Sequence, residues 1–314
     1  MLNPERLELL VELQALQTMK AVADASQMSV STVSQHIASL ERSVGRPLIE
    51  HVGRQVRLTP LANELVDSAR PVLNKLREIE DMVRSENMEV RGHIRVASFS
   101  SALAPLAVPV CASLGSRFPQ LTITLEELEP DTSIPLLNAG QLDILFSASF
   151  GAAKADNDAG IVSIPLFSDS LCAVLPLGHT LANRTSLRLT DLFGEDWICE
   201  PKGTYLSNHI QILCEQAGIS PRVTGTLSSY SVVLQSVAQG FGIAVLPRLA
   251  TQEEPSKTIR VPITPEIRRS VSLITTSSQL SRLSIKHFIN DVRQRTRNIT
   301  KELDTQFSSG LTEI

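Results

Sequence analysis

The sequence predicts an α/β chain in three parts: an N-terminal winged helix-turn-helix, a long linker helix, and a two-lobed Rossmann-like domain. Three observations carry that expectation. Residues Ser29 to Glu41 read as an amphipathic helix with short hydrogen-bonding side chains on its outer face. Leu65, Ala69, Val72, Leu76, Ile79 and Val83 alternate spacings of four and three along a charged helical stretch. Beyond Arg91, β-branched runs alternate with helical segments, the pattern of a parallel sheet covered by helices on both faces.

In the first part, Met19 to Ala25 reads as a short helix and Ser26 to Ser29 as the turn into the next. Ala23 is small where crossing helices approach, Met28 is placed to plug the corner, and Ser29 is an N-cap residue. In the second helix Val30, Val33, Ile37 and Leu40 fall on one face, leaving Ser31, Thr32, Gln35, His36 and Ser39 outward. Gln and Ser/Thr side chains pair with base edges, and a major groove admits one helix, so this face suits double-stranded DNA. Ser29, Ser31, Thr32, Ser34, Gln35 and His36 are the candidate reading residues.

After Glu41, turn signals at Gly45, Pro47 and Gly53 and the alternation Gln55, Val56, Arg57, Leu58 predict two short strands. They form a wing that brings Arg46, Arg54 and Arg57 to a phosphate backbone. Here the chain resembles the LysR-type transcriptional regulators, whose reading helix ends in Leu-Glu and is followed by Gly-x-x-Leu-Phe-x-Arg-x-x-Arg and a closing Leu-Thr-x-x-Gly. The matching positions are Leu40, Glu41, Gly45, Leu48, Arg54, Leu58, Thr59 and Pro60. Four positions depart from the pattern: Ser26 for an apolar residue, Ile49 for Phe, His51 for the first wing Arg, and Ala62 for Gly. Loss of one phosphate-contacting Arg is expected to lower affinity, and Ser26 and Ile49 to loosen the packing of the small domain.

With 314 residues, 42% hydrophobic, the chain suits two or three packed domains. A formal charge of −4 restricts DNA contact to a local basic patch. The four cysteines, Cys111, Cys172, Cys199 and Cys214, are widely spaced and form no metal-ligand pair, which suits a reduced, cytoplasmic protein with no metal and no cofactor. The start lacks a basic region followed by an apolar run, and no stretch is apolar enough for a membrane span. The 61–90 helix is expected to pair subunits through its seam, with Pro71 kinking it or joining two helices, or to pack against its own effector domain.

In the third part, 93–98, 121–125 and 142–146 read as strands, with helices at 102–118 and 132–140. A second set has strands at 171–175, 197–200, 222–226 and 242–246, with helices at 205–217 and 229–239. A strand at 271–275 and a helix at 281–295 return the chain to the first lobe. Arg117-Phe-Pro119, Gly140-Gln-Leu-Asp143 and the run Gly240 to Pro247 resemble the effector-binding domain of the same family, itself similar to periplasmic binding proteins. The expected division is 1–60 for DNA binding, 61–90 for the linker, 91–295 for the effector domain, and 296–314 as a polar tail. Lobe I comprises 91–164 and 266–295, and lobe II comprises 165–265.

A ligand in such a fold binds between the lobes, at strand ends and helix N-termini. Ser98, Ser100, Ser101 and Ser147 from lobe I, and Thr204, Tyr205, Ser228 and Ser229 from lobe II, are the candidate effector contacts, and a small polar or anionic metabolite is the expected ligand. Each serine taken singly is as consistent with helix capping. Asp143 reads as a structural residue and Lys202 as a solvated loop cation. No nucleophile elbow, phosphate loop or complete dinucleotide fingerprint is present, so the expected function is a ligand-responsive regulator and not an enzyme. The alternatives are a small-molecule-binding module or an enzyme on the same fold without DNA function. The resemblance further implies a homodimer or homotetramer.

Overall fold

The computed structural model describes residues 2–52, 55–84, 90–151, 160–251 and 257–309. The chain divides into two compact units, Met1–Glu86 and Asn87–Ile314. In the first, α1 (Pro4–Leu16), α2 (Met19–Ala25) and α3 (Val30–Val44) are followed by the antiparallel hairpin β1 (Ile49–Val52) and β2 (Gln55–Leu58) and then α4 (Pro60–Arg84). Leu10, Leu13, Val22, Val33, Ile37 and Leu40 form its core, and Ala62, Val66, Ala69 and Leu73 of α4 close it.

Several expectations change here. Helix α4 continues through Pro71 within the N-terminal unit, and its first half packs into that unit's core. Of the expected seam, Ala69 is buried in that core, whereas Val72 and Ile79 are 55% and 44% exposed. The Val83 side chain lies outside the described residues. Met28 does not plug the corner but stands exposed, and Val30 is 46% exposed because the first turn of α3 belongs to the polar cap around Ser29. Ser26 does not loosen the packing: its hydroxyl lies 2.8 Å from Glu12 Oε2 on α1 and 2.7 Å from the Val22 carbonyl, ending α2 with polar contacts. Ile49 packs on the core, and Ala62 fits it fully buried.

The second unit is built on a mixed sheet, not the all-parallel one expected. β3 (Gly92–Ser98) pairs in parallel with β4 (Leu121–Glu127) and β5 (Ile144–Phe150). The other pairings are antiparallel, and the sheet order is β10-β6-β11-β5-β3-β4, with β9 also on β6. β6 (Ile161–Pro176) is one 16-residue strand where a lobe crossing near Ile164 was expected. It pairs with β11 (Arg268–Thr276) over its first part and with β9 (Ala244–Pro247) and β10 (Thr258–Pro262) over its last. β7 (Asp196–Cys199) and β8 (Arg222–Thr226) form a separate parallel pair. Gly242 lets the chain before β9 run against β7, since a Cβ there would stand 2.6 Å from the Asp196 carbonyl oxygen.

The helix expected at 102–118 is broken into α5 (Ser100–Ala102), a π turn at Leu103–Ala107, and α6 (Val108–Arg117). Pro105 lacks an N–H and Pro109 follows it, so the ladder widens by one residue. The Pro105 carbonyl accepts Arg295 Nε at 2.9 Å. α7 (Pro130–Asn138), α8 (Tyr205–Gln216) and α9 (Tyr230–Ala238) lie close to expectation. The last helix, α10 (Leu283–Ser309), overruns the expected polar tail, because Thr296 and Ile299 continue its buried stripe one and two turns beyond Val292.

Candidate functional site

Two sites are built, one in each unit. In the first, burial of Val33, Ile37 and Leu40 fixes the rotation of α3, so Ser31, Ser34 and Gln35 are exposed and Thr32 and His36 half-exposed. Ser29 caps the helix, its Oγ accepting the Thr32 N–H at 3.1 Å and lying 2.7 Å from the Ser31 hydroxyl. At the other end Gly45 takes the left-handed conformation (φ +77°), a position that favours a residue without a Cβ. Glu41 Oε1 then accepts the N–H groups of Leu48 and Ile49 at 2.8 and 3.3 Å, tying helix α3 to strand β1.

Gln35, Arg42 and Arg46 line one shallow surface depression. Arg57 lies apart from them, in a second depression with Gln17, Thr18 and Asn63. Arg54, with the Gly53 turn, lies outside the described residues. Sequence reasoning missed Arg42, although its position seven residues after Gln35 places it two turns along the same helix face.

In the second unit the lobes meet at charged and aromatic contacts. Arg269 and Asp169 are register partners on β11 and β6, and their ion pair, at 2.7 Å, is almost wholly buried. Arg269 Nη2 also donates to Ser101 Oγ at 2.8 Å, and the guanidinium sits 5.2 Å from the Phe99 ring centroid. Tyr205, the first residue of α8, donates its N–H to Glu129 Oε2 at 2.9 Å and accepts the Phe150 N–H on its hydroxyl at 3.0 Å. The Phe150 ring stacks on Tyr205 and on His209, the latter with centroids 3.7 Å apart. Burial lowers the His209 pKa.

Thr204 caps α8 and donates to Glu200 Oε2 at 2.8 Å. Burial pushes the Glu200 carboxyl up, hydrogen bonds from Tyr230 and Thr204 pull it back, and nearby Glu129 raises it further. Burial, with the Glu200 charge beside it, lifts the Tyr230 hydroxyl well above its ordinary range. Of the residues named from sequence, Ser101, Thr204 and Tyr205 therefore take part in this constellation. Ser98 and Ser147 are buried in their strands, Ser98 donating to the Phe99 carbonyl at 3.2 Å. Ser100 is half-exposed, and Ser228 and Ser229 are exposed before α9, Ser229 Oγ lying 2.9 Å from the Ser231 hydroxyl. Glu129, Phe150, Asp169, Glu200, Tyr230 and Arg269 were missed; Glu200, a carboxylate at the end of a readable strand, was the discoverable one.

Asp143 is structural, as expected, but through a network and not a turn. It accepts Arg95 Nε at 3.0 Å, Arg282 Nη1 at 3.1 Å and Gln279 Nε2 at 3.1 Å. Burial alone would raise its carboxyl, yet the hydrogen bonds and charge of Arg95, joined by Arg282, hold it below the usual carboxylate range. Lys202 is exposed. Burial pushes the Cys111 and Cys214 thiols up to about 11 and raises Cys199 as well. Among the described residues no group of three or more His, Cys, Asp or Glu is placed to hold a metal ion, and no helix is long and apolar enough to cross a membrane.

Residues 4–63 match the family of bacterial regulatory helix-turn-helix proteins, lysR family, and residues 87–297 match the LysR substrate binding domain. The DNA-binding transcriptional dual regulator OxyR of Escherichia coli K12 is 28% identical over 276 residues, covering 87% of this chain and 89% of that protein. The transcriptional dual regulator GltC of Bacillus subtilis is 24% identical, covering 84% and 90%. Among solved structures, a full-length OxyR variant from Pseudomonas aeruginosa superposes with a TM-score of 0.74 at 22% identity, covering 93% of this chain and 95% of that one. CbnR bound to its target DNA gives a TM-score of 0.59 at 19% identity, covering 94% and 100%. With one match on the helix-turn-helix and another spanning most of the second unit, the chain belongs to the LysR family of transcriptional regulators.

Proposed function

We propose that this chain is a cytoplasmic, ligand-responsive transcriptional regulator that reads a dyad in double-stranded DNA with α3 and binds a small polar effector between the lobes of its second unit. The observation that carries the reading is the outer face of α3, where Ser31, Ser34 and Gln35 stand exposed on a helix locked by three fully buried side chains. Such a face makes base-edge hydrogen bonds, while Arg42, Arg46, Arg54 and Arg57 supply phosphate contacts. Ser29 acts chiefly as the cap, and Thr32 and His36 complete the contact face. The exposed Val72, Leu76 and Ile79 of α4 support pairing with a second copy, which presents two reading helices to two half-sites.

Effector contact is proposed for Ser98, Ser100, Ser101, Ser147, Thr204, Tyr205, Ser228 and Ser229, with Glu129 and Glu200 added. Two carboxylates in the cleft favour a ligand that donates hydrogen bonds over an anionic one. OxyR relatives carry the name hydrogen peroxide-inducible genes activator. Here Cys172 and Cys214 are buried and Cys111 and Cys199 half-buried, and burial raises the Cys111, Cys199 and Cys214 thiols, which favours response by binding over thiol oxidation. The test is retention of genomic DNA fragments by the full-length protein, repeated with Gln35→Ala and Arg57→Ala. Enrichment of an interrupted dyad, with Gln35→Ala relaxing its sequence and Arg57→Ala weakening all fragments and reducing the salt slope by about one, is expected. No enriched sequence, with or without cell metabolites, would remove the reading.

A further inference from the structure

Between α8 and strands β7, β8 and β9 lies a cavity of about 380 Å³. That volume falls within the range of small-molecule sites, roughly 300–1,000 Å³. Trp197, Leu206, Ile210 and Val245 give it an apolar wall, and Cys199 and Cys214 also line it. The charged groups along its lining offer no buried cation to an anionic ligand. Lys202 and Glu215 are exposed, and Glu215 accepts Gln211 Nε2 at 2.9 Å. Glu200 already accepts from Thr204 and Tyr230. An anion placed here would lose its hydration without a partner, and a cation would meet only the already hydrogen-bonded Glu200, whereas an uncharged aromatic ring gains contact with the apolar wall.

We propose that this cavity is a second ligand site, adjoining the inter-lobe cleft at Glu200, and that it takes an uncharged aromatic molecule of one ring or two fused rings. Occupancy also has a route to the lobe contact. Leu206, Ile210 and Cys214 of α8 line the cavity, while Tyr205, one residue before Leu206, bonds Glu129 and Phe150. A ligand that binds one position of α8 more tightly shifts the population of that contact. Binding itself does not depend on the DNA-reading assignment.

Trp197, the single tryptophan of the chain, is the reporter. Full-length protein is titrated with toluene, phenol and benzoate while Trp197 emission is followed. Saturable changes are expected with toluene and phenol, and binding weaker by about tenfold or more with benzoate. Two variants should abolish the response: Val223→Phe at the rim, where the native side chain is 52% exposed and tolerates enlargement, and Cys214→Met, which fills the interior. Thermal melts confirm folding, and Val223→Phe stands alone should Cys214→Met not fold. No saturable change in the parent protein, a response that survives in folded Val223→Phe, or benzoate binding as tightly as phenol overturns the proposal. DNA retention on the same preparations fails or succeeds independently.

Discussion

Replacing Arg269 with methionine isolates the buried ion pair at the lobe crossing. The structure shows what is lost: two hydrogen bonds to Asp169, at 2.7 and 3.0 Å, and one to Ser101 at 2.8 Å. Asp169 is then a fully buried carboxylate whose remaining hydrogen bond among the described residues is from the Leu249 N–H at 3.3 Å. Breaking one side of a buried pair costs about 3–5 kcal/mol, because the stranded charge keeps its desolvation penalty. Asp169→Asn alone strands the guanidinium and is expected to cost a similar amount, although the amide oxygen still serves Leu249. The double variant Asp169→Asn with Arg269→Met has no buried charge left, so it should be more stable than either single variant, a coupling of about 2 kcal/mol or more. Urea unfolding followed by Trp197 emission reads the second unit alone, since that unit holds the chain's one tryptophan. With a urea slope of about 2 kcal/mol/M, each single variant moves the midpoint down by roughly 1.5–2.5 M. Costs that simply add in the double variant would refute the reasoning and make the pair a matter of packing.

Three further outcomes follow from described contacts. Glu41→Ala leaves the Leu48 and Ile49 N–H groups without their acceptor, so the first unit should lose about 2–3 kcal/mol. Faster exchange of the Leu48 amide and weakened DNA retention check it. Asp143, whose folded pKa lies below 3.8, contributes stability that is present above that value and lost as pH falls through the folded one. Asp143→Asn should flatten the acid limb of the unfolding profile below that pH and cost about 3 kcal/mol at neutral pH; an unchanged acid limb contradicts the assignment. Tyr205→Phe removes the acceptor of the Phe150 N–H and should weaken the lobe contact by about 1 kcal/mol, read as faster exchange of that amide. Unaltered exchange would show that the hydroxyl holds nothing.

The elements legible in the sequence were those governed by local rules. Helix α3 could be read from its stripe and cap, and the β3–α–β4–α–β5 alternation from its change of period. What escaped was decided by partners distant in the chain. The Arg269–Asp169 pair spans 100 residues, and neither residue has a local motif. The Glu129–Tyr205 contact spans 76. β10, unread in the sequence, is a strand because the end of β6 offers it a partner. Val30 was misread because periodicity places a side chain on a face without saying where the neighbouring helices end. Proline effects were legible in kind but not in place: Pro105 and Pro109 reshape a helix, while Pro71 leaves α4 continuous.

The 16-residue strand β6 belongs to both lobes without a break. A strand of that length extends about 50 Å, and its ladder with β11 runs up to Ser170, directly before the ladders with β9 and β10 begin at Leu171 and Cys172. Along β6 no loop separates the lobes, although its ladder carries a bulge beside Val271 and Ser272 and the return crossing at 263–267 is irregular, so relative movement of the lobes must twist this strand. A bound effector that moves one lobe against the other would therefore load β6 along its length, because the strand is fastened by ladder hydrogen bonds in both.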